Sequence, residues 1–315
     1  MIGRYVVRRL VFAVVLVFAV SSGSLLLAVV APGDFVTESL GAGVTAETAM
    51  RARERLGLDR PALAQYGHWL GRAVRFDFGR SLAYDRPVAD LVPERAANTA
   101  LLAAAALLVS TAIGVPLGIV SGSRRGALSA FVRAISLALV SMPPLLTSLA
   151  LVFVAARTGW VPIGGMRSAS ASATSAADVL RHMIVPVLAL ALPIAATFER
   201  LQSQALNEVV HQPFVLATLA RGVSERRVVW RDGLKAALGP VASMYGLIVG
   251  SLLSGSFVVE MVTAWPGIGR LMLDALRARD TYLVAGCAAA GTIFLACGTL
   301  ASDAAVALIN PRARE

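Results

Sequence analysis

Six long stretches without a charged residue dominate the sequence. They cover residues 10–31, 96–121, 134–156, 183–198, 236–259 and 281–302. A helix that spans a bilayer needs roughly 20 apolar residues, so five stretches are long enough alone, and the fourth becomes so with flanking residues such as Leu180 and Leu201. A mean hydropathy of +0.72 with 15% charged residues is typical of a membrane protein rather than a soluble domain. The sequence therefore predicts an all-α membrane protein with six transmembrane helices.

The first stretch resembles a secretory signal at its start, because Arg4, Arg8 and Arg9 precede it. It is longer than a typical signal segment, and no clear cleavage site ends it before Pro32. We expect a retained helix. The excess of basic residues falls on the segments that are cytoplasmic if the N-terminus is cytoplasmic, so both termini are predicted to face the cytoplasm.

The net charge of +10 could indicate a nucleic-acid partner. Here the excess lies where anionic inner-leaflet lipid would be, and no nucleic-acid-binding motif accompanies it. We expect contact with membrane lipid and no nucleic-acid partner.

Three regions follow from the charge pattern: an N-terminal helix at 1–31, an external insertion at 32–95 and a membrane core at 96–309. The insertion is predicted to contain a helix that is capped by Thr45 and ended by Gly57. A second helix, from about Pro61 to Val74, carries Tyr66, Trp69 and Leu70 on a face suited to the membrane interface. Acidic residues in the insertion are balanced by arginines, which favours solvated ion pairs over an enzyme site.

Prolines and glycines recur within the apolar stretches. Pro116, Pro143, Pro144, Pro186 and Pro193 can each kink a helix, as a moving pathway or a static bundle can tolerate. Gly114 with Gly118, and Gly246 with Gly250, have the spacing that allows close helix packing. No chain of Asp, Glu or His crosses the predicted spans; Glu260 and Asp303 lie near helix ends, so an ion or proton relay is not indicated.

A basic segment, ATLARGVSERRVVWRDGLKAALGP at residues 217–240, separates two apolar stretches. Pro213 suits the first turn of a short helix that ends at Gly222 in the left-handed conformation. Ser224 can cap a second helix, with Glu225 at its positive end and Lys235 in its last turn, before Pro240 marks the return to the membrane. Small and basic residues here favour docking of another protein, with an amphipathic helix resting on anionic lipid as the alternative.

The same segment resembles the cytoplasmic coupling loop, or EAA loop, of ATP-binding cassette (ABC) importer permeases of the dipeptide, oligopeptide, nickel and glutathione branch. FVLATLARG at 214–222, SERRV at 224–228 and RDGLKAAL at 231–238 keep the spacing of that loop. Further family motifs follow in order along the chain: RRL at 8–10, PGD at 32–34, LGLDRP at 56–61, QYGHWL at 65–70, FDFGRSL at 76–82, VPLGIVSGSRRG at 115–126, SMPP at 141–144, WPGIGRLMLDAL at 265–276, RD at 279–280 and NPR at 310–312. Departures are Leu216, where arginine is common, Asp232–Gly233 in place of His-Ala, and Asn310 in place of aspartate.

The resemblance implies a type I ABC importer permease fold and a coupling loop at 207–237. The residues expected to contact an ATPase subunit are Phe214, Leu216, Ala217, Thr218, Ala220, Arg221, Gly222, Glu225, Arg226, Arg227 and Arg231. An outer gate, or contact with an extracytoplasmic binding protein, is expected at Trp265, Pro266, Gly267, Gly269 and Arg270; an interfacial tryptophan beside a helix start is the alternative for this turn. The implied partners are a second homologous permease, two ABC ATPase subunits and an extracytoplasmic substrate-binding protein.

We expect no catalysis, metal or cofactor in this chain, with ATP and Mg in the partner subunits. The sequence has no phosphate-binding pattern G-x-x-x-x-G-K-[ST], and His68, His182 and His211 lack metal-ligand spacing. A secondary transporter would need internal ion sites, and an intramembrane enzyme would need a nucleophile with a base, which neither Ser141 nor Ser254 has. Peptides are the expected substrate, with nickel or glutathione as alternatives.

Overall fold

The computed structural model describes residues 2–40, 45–123, 126–168, 175–210, 212–224, 227–228, 230 and 234–309. Within them the structure is helical, and its only extended pairing is an isolated bridge between Arg80 and Pro87. The helices are α1 (Ile2–Val30), α2 (Phe35–Leu40), α3 (Ala46–Leu56), α4 (Ala62–Ala73), α5 (Val88–Ser123), α6 (Ala127–Val140), α7 (Pro144–Thr158), α8 (Ala176–Val210), α9 (Pro213–Ala220), α10 (Leu234–Val262), α11 (Ile268–Arg277) and α12 (Thr281–Ile309). The predicted all-α class is confirmed.

Four helices, α1, α5, α8 and α12, are long and apolar enough to cross a membrane as continuous rods. Two further spans require bent pairs. Helices α6 and α7 meet at 107°, and α10 bends by 46° between Val241–Leu252 and Gly255–Val262. By length and composition, the described residues therefore offer four candidate spans, or six if each bent pair is one span; the predicted number is the upper value.

The uncharged stretch at 134–156 is divided between two helices, at the proline pair that was expected to kink it. Helix α6 ends at Val140 and α7 begins at Pro144, with Pro143 as its N-cap. Proline has no N–H to donate to the preceding turn, but its fixed φ suits the first turn of a new helix. Two consecutive prolines therefore end one helix and begin the next, whereas the isolated Pro186 and Pro193 lie inside α8, which continues for 35 residues.

The chain divides into two compact units, of which the first contains residues 1–100 and 266–296. Its apolar core is formed by Leu25 of α1, Trp69 and Ala73 of α4 and Ala285 of α12, each at most 1% exposed. The prediction that Trp69 lies on an interfacial face is therefore wrong. Tertiary packing of α4 on α1 and α12 covers the indole, which a pattern within one helix does not reveal.

The insertion between α1 and α5 belongs to this unit. Thr45 accepts a hydrogen bond from the Thr48 N–H at 3.4 Å and Gly57 adopts φ 68°, so both predicted ends of α3 are confirmed. Arg53 Nε lies 2.5 Å from Asp34 Oδ2, and this contact lowers the pKa of the Asp34 carboxyl to about 2. Exposed pairs join Arg72 to Asp77 and Arg80 to Asp85, which agrees with the prediction of solvated ion pairs.

The second unit contains residues 101–265 and 297–315, and α8 lies at its centre against α6, α7 and α10. Its core includes Leu102, Leu190, Phe198, Leu252 and Trp265, each at most 2% exposed. The side chain of Phe198 packs on Tyr245 of α10 with ring centroids 5.1 Å apart. Because α8 is covered on several sides, its tertiary packing stabilises the helix, and α8 continues through two prolines.

Candidate functional site

The predicted coupling loop at 207–237 begins in the last turn of α8, which ends at Val210. Gln212 is the N-cap of α9 and Pro213 occupies its first turn, as predicted. Helix α9 ends at Ala220, and Gly222 follows with φ +82°, the left-handed conformation expected for it. The Gly222 N–H donates to the Leu219 carbonyl at 2.9 Å, which closes the last turn. The predicted helix and glycine turn are therefore confirmed as local structure.

The second half of the coupling loop is described only in part. The Ser224 carbonyl accepts hydrogen bonds from the N–H groups of Arg227 and Val228, at 2.9 and 3.1 Å, so a new helical turn begins there. Glu225, Arg226 and Arg231 lie outside the described residues, as do the departures at Asp232, Gly233 and Asn310.

The expected position of Lys235 in the last turn of a separate helix is wrong. Helix α10 begins at Leu234 and continues to Val262, so Lys235 lies in its first turn and the backbone of Pro240 lies within it. A proline near a helix start removes one backbone hydrogen bond, whereas the apolar sequence beyond it continues to favour a packed helix. The sequence analysis predicted a helix boundary at Pro240, but the helix continues through this residue.

An apolar cluster attaches the coupling loop to the long helices. Val215 of α9 and Val228 are 2% and 1% exposed. They pack with residues of α5 and α8, and together the cluster consists of Ile119, Ala205, Leu206, Val209, Val215 and Val228. We call these six residues the loop anchor. Because apolar burial resists separation, a displacement of α9 is expected to move the ends of α5 and α8 with it.

The opposite face of the coupling loop is open. Leu216 is 55% and Trp230 50% exposed. Ala217, Ala220, Arg221, Gly222 and Arg227 are also exposed. Thr218 is half-buried and accepts a hydrogen bond from Arg221 Nη2 at 3.3 Å; of Phe214 only the backbone is described. Apolar and guanidinium groups on one face suit a protein surface that carries carboxylates.

The second predicted site, the turn at 265–270, is mostly buried. Trp265 is fully buried in the core of its unit, so the alternative of an interfacial tryptophan is wrong. Asn98 donates to the Pro266 carbonyl and the Ile268 N–H donates to Thr99 Oγ1, both at 2.9 Å, while Gly267 is the N-cap of α11. Gly269 is also buried, and Arg270 is exposed. The turn fixes the start of α11 to α5, and Arg270 is the member of the predicted set that presents an exposed side chain.

A buried polar group between α5 and α8 was missed by the sequence analysis. Glu199 and Gln202 of α8 are fully buried, and Ser121 of α5 donates a hydrogen bond to Glu199 Oε1. The predicted fourth stretch ended at Phe198 because Glu199 is ionisable; the extension to Leu201 allowed the helix to pass Glu199, but no role was expected for its side chain. The spacing of Gly114, Gly118 and Gly122 on α5 was the available signal for a close helix neighbour.

The described residues contain no group of three or more His, Cys, Asp or Glu that could hold a metal ion. The described residues form apolar helices, a loop with an exposed basic and apolar face, and an anchor that joins this loop to the long helices. They define a multi-pass membrane protein whose loop between α8 and α10 presents an exposed basic and apolar face.

Comparison with known proteins places the chain in a family. Residues 114–315 match the binding-protein-dependent transport system inner membrane component family, and residues 1–103 match the N-terminal region of such membrane components. The chain belongs to this family, the inner-membrane permeases of ABC importers. It is therefore a transport subunit of the inner membrane that acts in a complex with other ABC components.

Similar proteins cover the whole length of the chain. The oligopeptide transport system permease protein AppB of Bacillus subtilis is 29% identical over 98% of both chains. A putative peptide permease protein of Brucella suis is 34% identical, and the glutathione transport system permease protein GsiC of Escherichia coli is 32% identical, each over 98% of both chains.

Proposed function

We propose that this chain forms part of the translocation pathway of an ATP-driven importer of di- and oligopeptides. The observation that carries the proposal is the coupling loop, with an exposed face for a partner and a buried anchor on the ends of α5 and α8. The peptide substrate rests on the similar proteins, of which two are named as peptide or oligopeptide permeases. Glutathione is itself a short peptide, so the third similar protein favours the same chemical class.

The complete importer contains a second, related permease, two ABC ATPase subunits and an extracytoplasmic binding protein that delivers the peptide. ATP and Mg bind the ATPase subunits, and this chain holds no cofactor. Both termini and the coupling loop face the cytoplasm, whereas the insertion between α1 and α5 faces outward. The distribution of basic residues along the sequence supports this orientation.

Transport follows from two states of the complex. Closure of the ATPase subunits displaces α9, and the loop anchor carries this displacement into α5 and α8. The loaded binding protein acts at the outer side, in the region of Arg270. ATP and the binding protein thus bias the same equilibrium between inward-open and outward-open pathways.

The test is purification of the chain with its neighbouring subunits and reconstitution into vesicles that contain ATP. We expect uptake of a labelled dipeptide that requires ATP and the binding protein. The variant pair Leu216→Glu and Leu63→Glu tests the site, since both leucines are exposed but only Leu216 lies on the coupling loop. Leu216→Glu should lower co-purification of the ATPase subunits and Leu63→Glu should not. Uptake that is driven by a proton gradient without ATPase subunits would refute the proposal.

A further inference from the structure

Helices α5 and α8 touch through their backbones. A Cβ atom added to Gly114, Gly118 or Gly122 would lie 2.4, 2.7 and 2.7 Å from the carbonyl oxygens of Ala195, Glu199 and Ser203, respectively. Such distances are too short for any side chain. The two helices are therefore in direct contact along about two turns, since α-helices have about 3.6 residues per turn.

Polar side chains lie inside this contact. Ser121, Glu199 and Gln202 are at most 1% exposed. Ser121 donates to Glu199 Oε1, but Glu199 Oε2 and both polar atoms of the Gln202 amide have no hydrogen-bond partner among the described residues. Buried polar atoms without partners are unfavourable, and apolar side chains of similar volume commonly give an equally stable or more stable contact. Stability alone therefore does not explain why Glu199 and Gln202, rather than apolar residues, lie inside this contact.

Their position relates them to the coupling loop. Ile119 lies two residues before Ser121 on α5, and Leu206 lies one turn after Gln202 on α8; both belong to the loop anchor that holds Val215 and Val228. A displacement of α9 is therefore expected to move α5 and α8 at positions within about one turn of the buried Ser121, Glu199 and Gln202.

We propose that Glu199 and Gln202 are positioning residues for transport and form, with Ser121, a polar latch between α5 and α8. The latch fixes the register of the two helices, so that a displacement of the coupling loop moves them together. Polar groups in apolar contacts can fix the register of helices in this way. The inference rests on the proposed function.

The experiment compares the reconstituted importer with a variant that carries Glu199→Met and Gln202→Met. These side chains are similar in volume and need no hydrogen-bond partners. We expect the melting temperature of the complex to be unchanged or higher, while the amount of peptide imported per ATP hydrolysed falls about tenfold, within the range of typical coupling energies. Glu199→Gln keeps an acceptor for Ser121 and should retain most of the wild-type ratio.

Tyr245→Phe is the matched control, because it removes a partly buried hydroxyl that contacts Thr111 of α5, while Thr111 keeps its bond to the Leu107 carbonyl. It should leave the ratio unchanged. The latch would be overturned if the double variant kept the wild-type ratio of peptide imported to ATP hydrolysed. It would also be overturned if the double variant had a lowered melting temperature. If the double variant does not assemble, Ser121→Ala decides: a lowered ratio supports the latch and an unchanged ratio overturns it. Failure of the wild-type complex to import with ATP would overturn the proposed function, and the latch with it.

Discussion

At residue 222 the backbone adopts φ +82°, and a Cβ atom added there would meet nothing within 4 Å. Within this chain, any effect of a substitution at this position therefore comes from the backbone conformation and not from a clash. Left-handed backbone is unfavourable for most residues by roughly 1–2 kcal/mol, with Asn better tolerated. The angle between α9 and the following turn depends on this one residue.

Gly222→Val should impair the coupling loop more than Gly222→Asn, because a β-branched side chain disfavours the left-handed conformation most strongly. We expect both variants to insert into the membrane at wild-type levels. Peptide uptake should be strongly reduced for Gly222→Val and largely kept for Gly222→Asn. Uptake by reconstituted vesicles measures this, and equal uptake by the two variants would contradict a role for the left-handed turn.

At the scale of elements, close helix contact depends on residues that have no side chain. The contact of α5 with α8 at Gly118 leaves no space, whereas Gly67 on α4 has nothing within 4 Å of an added Cβ. Both glycines lie inside helices. The same substitution therefore has opposite consequences at the two positions.

Gly118→Ala is expected to destabilise the protein by about 1–3 kcal/mol, because overpacking forces the α8 backbone or Gln202 to shift. Gly67→Ala is the control and should stabilise by roughly 0.5–1 kcal/mol, since alanine restricts the unfolded chain and favours helix. Thermal unfolding in detergent would measure both. A neutral Gly118→Ala would mean that α5 and α8 are further apart than described.

At the scale of the whole molecule, the chain combines apolar helices with charged segments in the insertion and in the coupling loop. The insertion presents exposed ion pairs such as Glu47 with Arg51, whereas the coupling loop presents Ser224 and Arg227. Our proposed orientation places the first outside and the second in the cytoplasm. This orientation is supported by the distribution of basic residues along the sequence, which does not depend on any contact in the fold.

A thiol-labelling experiment tests this orientation. The experiment uses a background in which Cys287 and Cys297 are replaced by Ala. There, Glu47→Cys should react with a membrane-impermeant thiol reagent in cells whose outer membrane is permeabilised and whose inner membrane is intact. Ser224→Cys should react only after the inner membrane is opened. Labelling in the reverse order would contradict the proposed orientation of both segments.

Several local features, in the candidate site and in the insertion, were predicted from short sequence patterns. Pro213, Gly222 and the ends of α3 at Thr45 and Gly57 were placed correctly, because capping and left-handed turns depend on a few adjacent residues. Lys235 was misplaced, since helix α10 begins before Pro240. Glu199 was missed because a search for uncharged stretches ends at an ionisable residue, whether or not the helix continues.

The sequence by itself determined the all-helical membrane class, the family, and the local turn at Gly222, because apolar length, motif order and backbone preference act along the chain. Only the tertiary structure decided which side chains are covered. It buried Trp69, which the sequence suggested for the membrane interface, and Trp265, which was expected at an outer gate or, alternatively, at an interface. It also enclosed Glu199 and Gln202 between α5 and α8. Burial depends on partners that are distant in sequence, and no pattern within a single helix specifies them.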